Sequence, residues 1–435
     1  MSEITCNGRA ESTLAFLKHG YDFIRHEADR LGVDVFQTRL KLRQTICLRG
    51  PGAAELFYDN DRIQRRGACP MRIVKTLFGV GGVQTLDDEA HLDRKAMLMS
   101  LFTDARIGEL IEHVRCELKD AADRWESEPQ IVVLPAMQRV MCRAACQWAS
   151  VPLEEGDADQ VAKELAAIID GCGGIGPRYV RARLARRRSN RWAEKWIGRV
   201  RRGEYLPSEY SALMVIATHR GIDGELLPCR HAAVELLNVL RPSVAIARWV
   251  MFAVLAMHAF PEAAEAVKRS VDGAEADHFG EEVRRYYPFF PAVVGKTRRE
   301  FTWDGLEFPA KTRVLLDLWG RNRDPRFWGQ PGQFNPSRFH RPVDRKFLFI
   351  PQGGGDFHTG HRCAGEVLTR RVLAECIRWF AQAIRYDVPE QNLEVAINRF
   401  PAEPESRMVI ANVRANETFV ESDPHSAIGS LVFDL

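Results

Sequence analysis

The chain has no basic segment leading into an apolar core at its start, Met1-Ser-Glu-Ile-Thr-Cys-Asn, so no signal peptide is expected. It has no uninterrupted apolar run of membrane-spanning length. The most apolar stretch, residues 243–260, follows Arg241-Pro242 and contains Arg248 and His258, which fits a buried core helix rather than a span. It has little excess charge: a formal net of +3 over 435 residues gives no argument for a nucleic-acid partner. It has no internal repeat and no Ser/Gly/Pro linker long enough to divide it. One unit over residues 1–435 is therefore expected, with a core at about 35–413 and a tail, 414–435, without pattern. The ten cysteines fall at irregular intervals. With no export signal they read as reduced thiols of a cytoplasmic protein.

What is present is an ordinary globular balance, 46% hydrophobic and 27% charged, able to bury a large core. From about 88 to 270, apolar residues recur every three or four positions, as in Val234, Leu237, Leu240, Val244, Ala247, Met251 and Val254. That period predicts helices. Residues 34–49 read as short strands ending at the turn Gly50-Pro-Gly, and Ala53 to Asp59 as a helix start. Phe301-Thr-Trp and Leu306-Glu-Phe flank Asp304-Gly305, a hairpin signal, and Thr312 to Leu318 reads as its continuation. Residues 365–385 return to a helix with Val367, Val372, Ile377 and Phe380 on its apolar side. The fold class is mainly α with a small β region. Arg178 to Arg202 is rich in arginine and reads as a solvated helix face, with an entrance for anionic substrates as the alternative. No aromatic stacking pattern accompanies it, which argues against RNA.

One cysteine has a neighbourhood that demands a reason. It lies in Phe349-Ile-Pro-Gln-Gly-Gly-Gly-Asp-Phe-His-Thr-Gly-His-Arg-Cys363-Ala-Gly-Glu366. A metal-bound thiolate needs a lowered pKa, which a helix N-terminus and inward-pointing backbone N–H groups supply. Cys363 precedes the helix expected near Gly365, and glycines 353, 354, 355 and 360 let the backbone approach and turn back. Gly365 leaves room for a flat macrocycle, and His361 and Arg362 are donors of the kind that pair with propionates. Zinc held by His358, His361 and Cys363 is a weaker alternative, because no second Cys/His pair lies nearby to complete a tetrahedron. Cys142-x-x-x-Cys146 is at helical spacing in an apolar helix and reads as core.

The loop resembles the cysteine-ligand loop of the cytochrome P-450 superfamily, and further motifs match in order. Glu282-Val-Arg-Arg285 looks like the family's Glu-x-x-Arg. Glu281 and Arg284 share the spacing, but Glu282 is preferred because Tyr286-Tyr-Pro-Phe-Phe-Pro then falls at the family's offset. Phe334-Asn-Pro-Ser-Arg-Phe carries Arg338, which the resemblance places with that pair. His91-x-x-Arg94-Lys95 opens a helix where the family places propionate partners. The resemblance implies the P-450 fold as a single haem-binding unit, haem b, and Cys363 as the axial ligand of the iron. The anchor helix of many membrane-bound relatives is not visible.

One departure narrows the chemistry. The family's central helix usually carries an acid–threonine pair that delivers protons to bound oxygen. Here it reads Leu236-Leu-Asn-Val-Leu-Arg241-Pro242, without that pair. This is similar to the peroxide-dependent fatty-acid hydroxylases (peroxygenases), as is Thr76-Leu-Phe78-Gly-Val-Gly-Gly-Val-Gln84. Heterolysis of a peroxide needs a group that takes a proton from one oxygen and returns it to the other. A guanidinium cannot, but it can grip a carboxylate in a bidentate pair. If Arg241 holds a fatty-acid carboxylate, the substrate itself supplies the acid–base group and Cα and Cβ lie nearest the oxidant. Pro242 is expected to interrupt the helix ladder there. Phe78, Phe289 and Phe290 are candidates for an apolar channel holding a long- or medium-chain tail. The resemblance places Gln84 near the distal haem face, where relatives that mainly decarboxylate carry histidine; glutamine favours hydroxylation. Hydrogen peroxide is the expected co-substrate, with no redox partner. The alternatives are decarboxylation to a terminal alkene, a reductase-dependent monooxygenase, and a non-catalytic haem sensor or fatty-acid carrier.

Overall fold

The computed structural model describes residues 3–154 and 156–416; residues 417–435 of the expected tail lie outside this range. Its axis is the helix Cys229–Ala259. From Ala232 to Met257 every residue except Pro242 and Ala245 is buried. A helix apolar on all faces belongs in an interior, and this one packs against Val133–Trp148, Pro177–Arg201 and Glu366–Arg378. It is the one described helix long and apolar enough to cross a membrane, and 94% of its most apolar window lies inside the protein. Cys142 and Cys146 are buried in the same core.

Pro242 lies inside this helix and interrupts its ladder without ending it. Only the bond its N–H would donate to the Asn238 carbonyl is lost. Packing on all sides holds the remaining turns together.

The β region is larger than the sequence implies. The predicted hairpin forms, with Phe301 opposite Phe308 and Trp303 opposite Leu306. Asp304 and Gly305 both take positive φ, as its two-residue turn requires. The strand Arg313–Asp317 does not continue that hairpin. It pairs in parallel with Arg43–Leu48 and antiparallel with Ala292–Thr297. The resulting sheet runs Val35–Leu40, Arg43–Leu48, Arg313–Asp317, Ala292–Thr297, Ile63–Gln64. Alternating residues announce a strand but not its partner. Here Val314 and Leu316 join Ile46, Leu48 and Phe57 in one apolar cluster, and that burial selects the pairing. A third sheet joins Gln130–Val132, Val409–Ala415 and Ile384–Asp387, so ordered structure reaches two residues past the expected boundary at 413. The helix that follows the cysteine loop is α-helical to Arg378 and continues as a π-helical turn over Trp379–Ala383, and strand pairing takes over from Ile384.

Candidate active site

Cys363 stands three residues before the helix Glu366–Arg378. Its loop closes because Gly355 N donates to Lys346 O at 2.8 Å and Cys363 N to Gln352 O at 3.4 Å. Gly353 and Gly355 take φ of 92° and 82°, and a Cβ on Gly355 would press on the Tyr58 ring at 3.0 Å. The sulfur accepts from Gln352 Nε2 at 3.6 Å, and Gln352 Oε1 is fixed in turn by Arg284 Nη2 at 2.9 Å. The expected lowering of the thiol pKa does not arise from the protein alone. Burial, then Glu366, push it above its ordinary value, against the pull of Lys95, the Gly365 backbone N–H and Arg284. A bound metal cation deprotonates a coordinating thiol outright, and the dipoles here are arranged to support that state.

Behind the loop, both registers of the acid–arginine motif are used. On the helix Ala274–Tyr286, Glu282 grips Arg285 through two bonds of 2.7 and 2.8 Å. Arg285 also donates to the carbonyls of Asn322, Pro331 and Gln333, so all five of its N–H groups are engaged. Asn335 N donates to Glu282 at 2.7 Å, and Arg338 Nε lies 3.6 Å from it. One residue earlier, Glu281 receives Arg284, Arg345 and Arg370, while Arg284 also reaches Glu366 at 2.7 Å. That second pair, not the preferred one, leads through Gln352 to the sulfur.

The helix Asp88–Ser100 presents His91, Arg94 and Lys95, all buried. The rings of His91 and His361 lie 3.8 Å apart, and His361 Nε2 is 3.6 Å from Asp87. Burial holds both histidines neutral near pH 7, His91 down to about 3 and His361 to about 4. Lys95 donates to the Arg362 carbonyl at 2.6 Å, and burial lowers it to about 8. Arg94 is paired within the chain. The buried Glu235 of the central helix takes its Nη1 at 2.6 Å. Sequence reasoning missed Arg65, a buried guanidinium over the Phe57 ring whose Nη1 has no partner. No local signal marks it; only folding brings it beside Asp87.

On the other side a polar chain runs along the central helix. Glu235 also accepts Val83 N at 2.9 Å and Asn238 Nδ2 at 3.1 Å; Asn238 Nδ2 reaches Gln84 Oε1 at 3.3 Å. Glu235 and Asn238 were missed as well, though an acid inside an apolar helix six residues before Arg241 is a legible signal. Arg241 is buried, and no hydrogen bond or ion pair joins it to any described residue. Burial pulls it down to about 10, and Cys172 and Cys363 lie within electrostatic reach. It remains cationic at neutral pH. Beside it is Arg186, also buried, with Nη1 on the Leu77 carbonyl at 2.9 Å and Nη2 unpartnered. Arg186 departs from the solvated face expected of its helix. Phe78 ends the turn Val74–Phe78 and is half-buried. Phe289 stacks on Trp249 of the central helix at 4.5 Å, and Phe290 meets Phe289 edge-on and is 37% exposed.

These residues fit a haem. Cys363 is a buried thiol at a helix start, and a Cβ on Gly365 would meet only Phe102 Cζ at 3.9 Å, which leaves room for a flat ring. Arg65 Nη1 lacks a partner, and neutral His91 and His361 stand beside it as donors for acidic side arms.

Fold and cysteine site together define a haem-thiolate oxidoreductase. The chain belongs to the cytochrome P-450 family: the family model "Cytochrome P450" matches residues 277–405, and whole-chain relatives extend the match. Cytochrome P450EX alpha, solved with myristic acid, superposes with a TM-score of 0.92 at 39% identity, over 96% of this chain and 100% of that one. A variant of cytochrome P450 OleT in complex with arachidonic acid gives 0.92 at 36% identity, over 97% and 100%. Against the curated relative cytochrome P450 71D18 of Mentha gracilis the likeness is local: 39% identity over 79 residues, 17% of this chain and 16% of the relative's length.

Proposed function

We propose that the protein is a peroxygenase that uses hydrogen peroxide to hydroxylate fatty acids at Cα or Cβ, as a single haem-binding unit needing no redox partner. The observation that carries this reading is Arg241: a buried guanidinium without a partner, within electrostatic reach of Cys363. A buried cation left unpaired is costly, and a carboxylate relieves that cost through two charge-assisted bonds. The fatty acids bound in the solved relatives carry such a group.

Bound haem supplies the iron centre at which peroxide is activated. Cys363 would ligate it, and Arg65, His91 and His361 would hold its acidic arms. Arg241 fixes the substrate carboxylate, and the carboxylate moves a proton from the near to the far oxygen of the peroxide. The net change is one C–H converted to C–OH, with one peroxide oxygen in the product and the other leaving as water. Gln84, held by Asn238, cannot act as a proton donor of histidine strength, which keeps the reading on hydroxylation. The aromatic side chains of Phe78 and Phe289 supply apolar surface for the tail.

The test is incubation with hydrogen peroxide and a panel of fatty acids, followed by gas chromatography of the products. 2- and 3-hydroxy acids are expected. Terminal alkenes as the main product would replace this reading with decarboxylation. Turnover only with an electron donor and redox protein would replace it with a monooxygenase. Fatty-acid binding without peroxide consumption would mark a carrier or sensor.

A further inference from the structure

A second cluster of ligating side chains lies away from the cysteine, at the outer end of the acid–arginine helix. Glu275 is in the first turn of Ala274–Tyr286, and His278 follows one turn later, so both share a face. The short helix Pro336–His340 is pinned across that face because Asn335 and Arg338 approach Glu282 two turns further on. This docking delivers His340. Glu275 Oε1 then lies 3.9 Å from His278 Nδ1 and 3.4 Å from His340 Nε2, and the two imidazole rings are 4.6 Å apart. All three ligand atoms fall within 4.8 Å of one another.

The three groups converge without satisfying one another. His278 Nδ1 is buried and has no hydrogen-bond partner. Buried polar atoms are rarely left so.

We propose that Glu275, His278 and His340 form a binding site for a divalent transition-metal ion of the zinc class. Two imidazoles and a carboxylate are a ligand set for such ions, whereas calcium and magnesium take oxygen ligands. A tetrahedral ion at zinc distances separates its ligand atoms by about 3.3 Å. The present spacings of Glu275 to the two histidines, 3.9 and 3.4 Å, lie near that value. The fourth position opens to a cleft of about 620 Å³ lined by Phe260, Glu262, Phe334 and Ser337, which admits water. His340 is 48% exposed, so the ion has an entry path. Bound there, the ion ties the helix carrying Glu282 and Arg285 to the segment carrying Arg338.

The test uses haem-loaded, chelator-treated protein without a polyhistidine tag, titrated with Zn²⁺ by calorimetry. One Zn²⁺ per chain with micromolar affinity is expected, and Zn²⁺ raises the thermal midpoint by a few degrees. His278→Ala and His340→Ala each weaken binding at least about tenfold, and His113→Ala, on a distant helix, leaves it unchanged. His340 is surface-exposed, so its variant keeps the fold, and the haem spectrum verifies this. Absence of saturable binding below 100 µM Zn²⁺ (roughly −5.5 kcal/mol) overturns the proposal. So does equal affinity in the wild type and both histidine variants.

Discussion

The buried arginines on the two sides of Cys363 live under opposite conditions. Behind the cysteine loop, Arg285 spends all five N–H groups on Glu282 and three carbonyls, and Arg284 is shared among Glu281, Glu366 and Gln352. On the central helix, Arg241 is also buried but its side chain has no hydrogen bond or ion pair among the described residues, and Arg186 beside it leaves Nη2 idle. Burial costs a guanidinium much the same in both places. Only the first pair is compensated within the chain. A saturated cation holds the fold together, while a starved one is held by the fold and kept for a ligand. The first cluster is scaffold; under the proposed function the second is a receptor for an anion.

That contrast breaks first at Glu282. Glu282→Ala leaves Arg285 buried without its counter-ion, and losing one partner of a buried pair costs about 3–5 kcal/mol. The loss falls on folding and haem loading together, because Asn335 loses its acceptor and Arg338 its ion-pair partner too. Denaturant unfolding and the haem-to-protein absorbance ratio measure it. A variant as stable as the wild type would falsify the scaffold role.

Arg241→Met gives the opposite signature. Fatty-acid oxidation falls at least about 100-fold, roughly 2.7 kcal/mol of transition-state stabilisation. Stability holds or rises, since an uncompensated buried charge is replaced by an apolar side chain. The haem spectrum is unchanged. Product formation and denaturant unfolding of the same preparation decide it: destabilisation comparable to Glu282→Ala means that Arg241 is scaffold.

The two regions also differ in how much of them the sequence discloses. The saturated cluster rests on local spacing, a Glu and an Arg one helical turn apart, and that is legible. Its one-residue ambiguity dissolves because both registers form buried pairs for different tasks. Arg241 is legible as an arginine and proline inside an apolar helix. Its isolation is not, because having no partner is a property of the folded chain. Arg94 shows the same limit: its helix was placed, but Glu235, 141 residues away, determines where its charge goes. Arg65 and Arg186 have no local signal at all. Alternation over Thr312 to Leu318 announces the strand Arg313–Asp317, yet its partners are set by an apolar cluster assembled from distant segments.

Arg186 sharpens the comparison because it belongs half to each class. One Nη donates to the Leu77 carbonyl and supports the turn bearing Phe78, and the other is idle. Arg186→Met loses that bond and the one from Nε to Asn190 Oδ1 but also removes a buried charge near Arg241, so the stability change stays within about 1–2 kcal/mol. Looser placement of Phe78 and a weaker positive field raise KM for fatty acids about three- to tenfold while kcat changes little. Steady-state kinetics with peroxide held in excess separates the two constants. A fall in kcat with unchanged KM assigns Arg186 to the reacting end of the substrate instead.

Gln84 carries the smallest expected effect. It is the end of the chain from Arg94 through Glu235 and Asn238, and its link is the longest of that chain at 3.3 Å. Asn238 keeps its shorter bond to Glu235 without it, so Gln84→Ala leaves the network standing. Total turnover then drops only about two- to fivefold, less than the loss of a full charge-assisted hydrogen bond. Gln84→His discriminates further. Imidazole titrates near neutrality and can give or take a proton where an amide cannot. If Gln84 faces the reacting carboxylate, histidine raises the alkene fraction several-fold over the wild type while hydroxy acids persist. Both products are read from one gas-chromatography run. An unchanged product ratio in both variants places Gln84 in the scaffold class, and the receptor contracts to Arg241 and the groups that leave it unpaired.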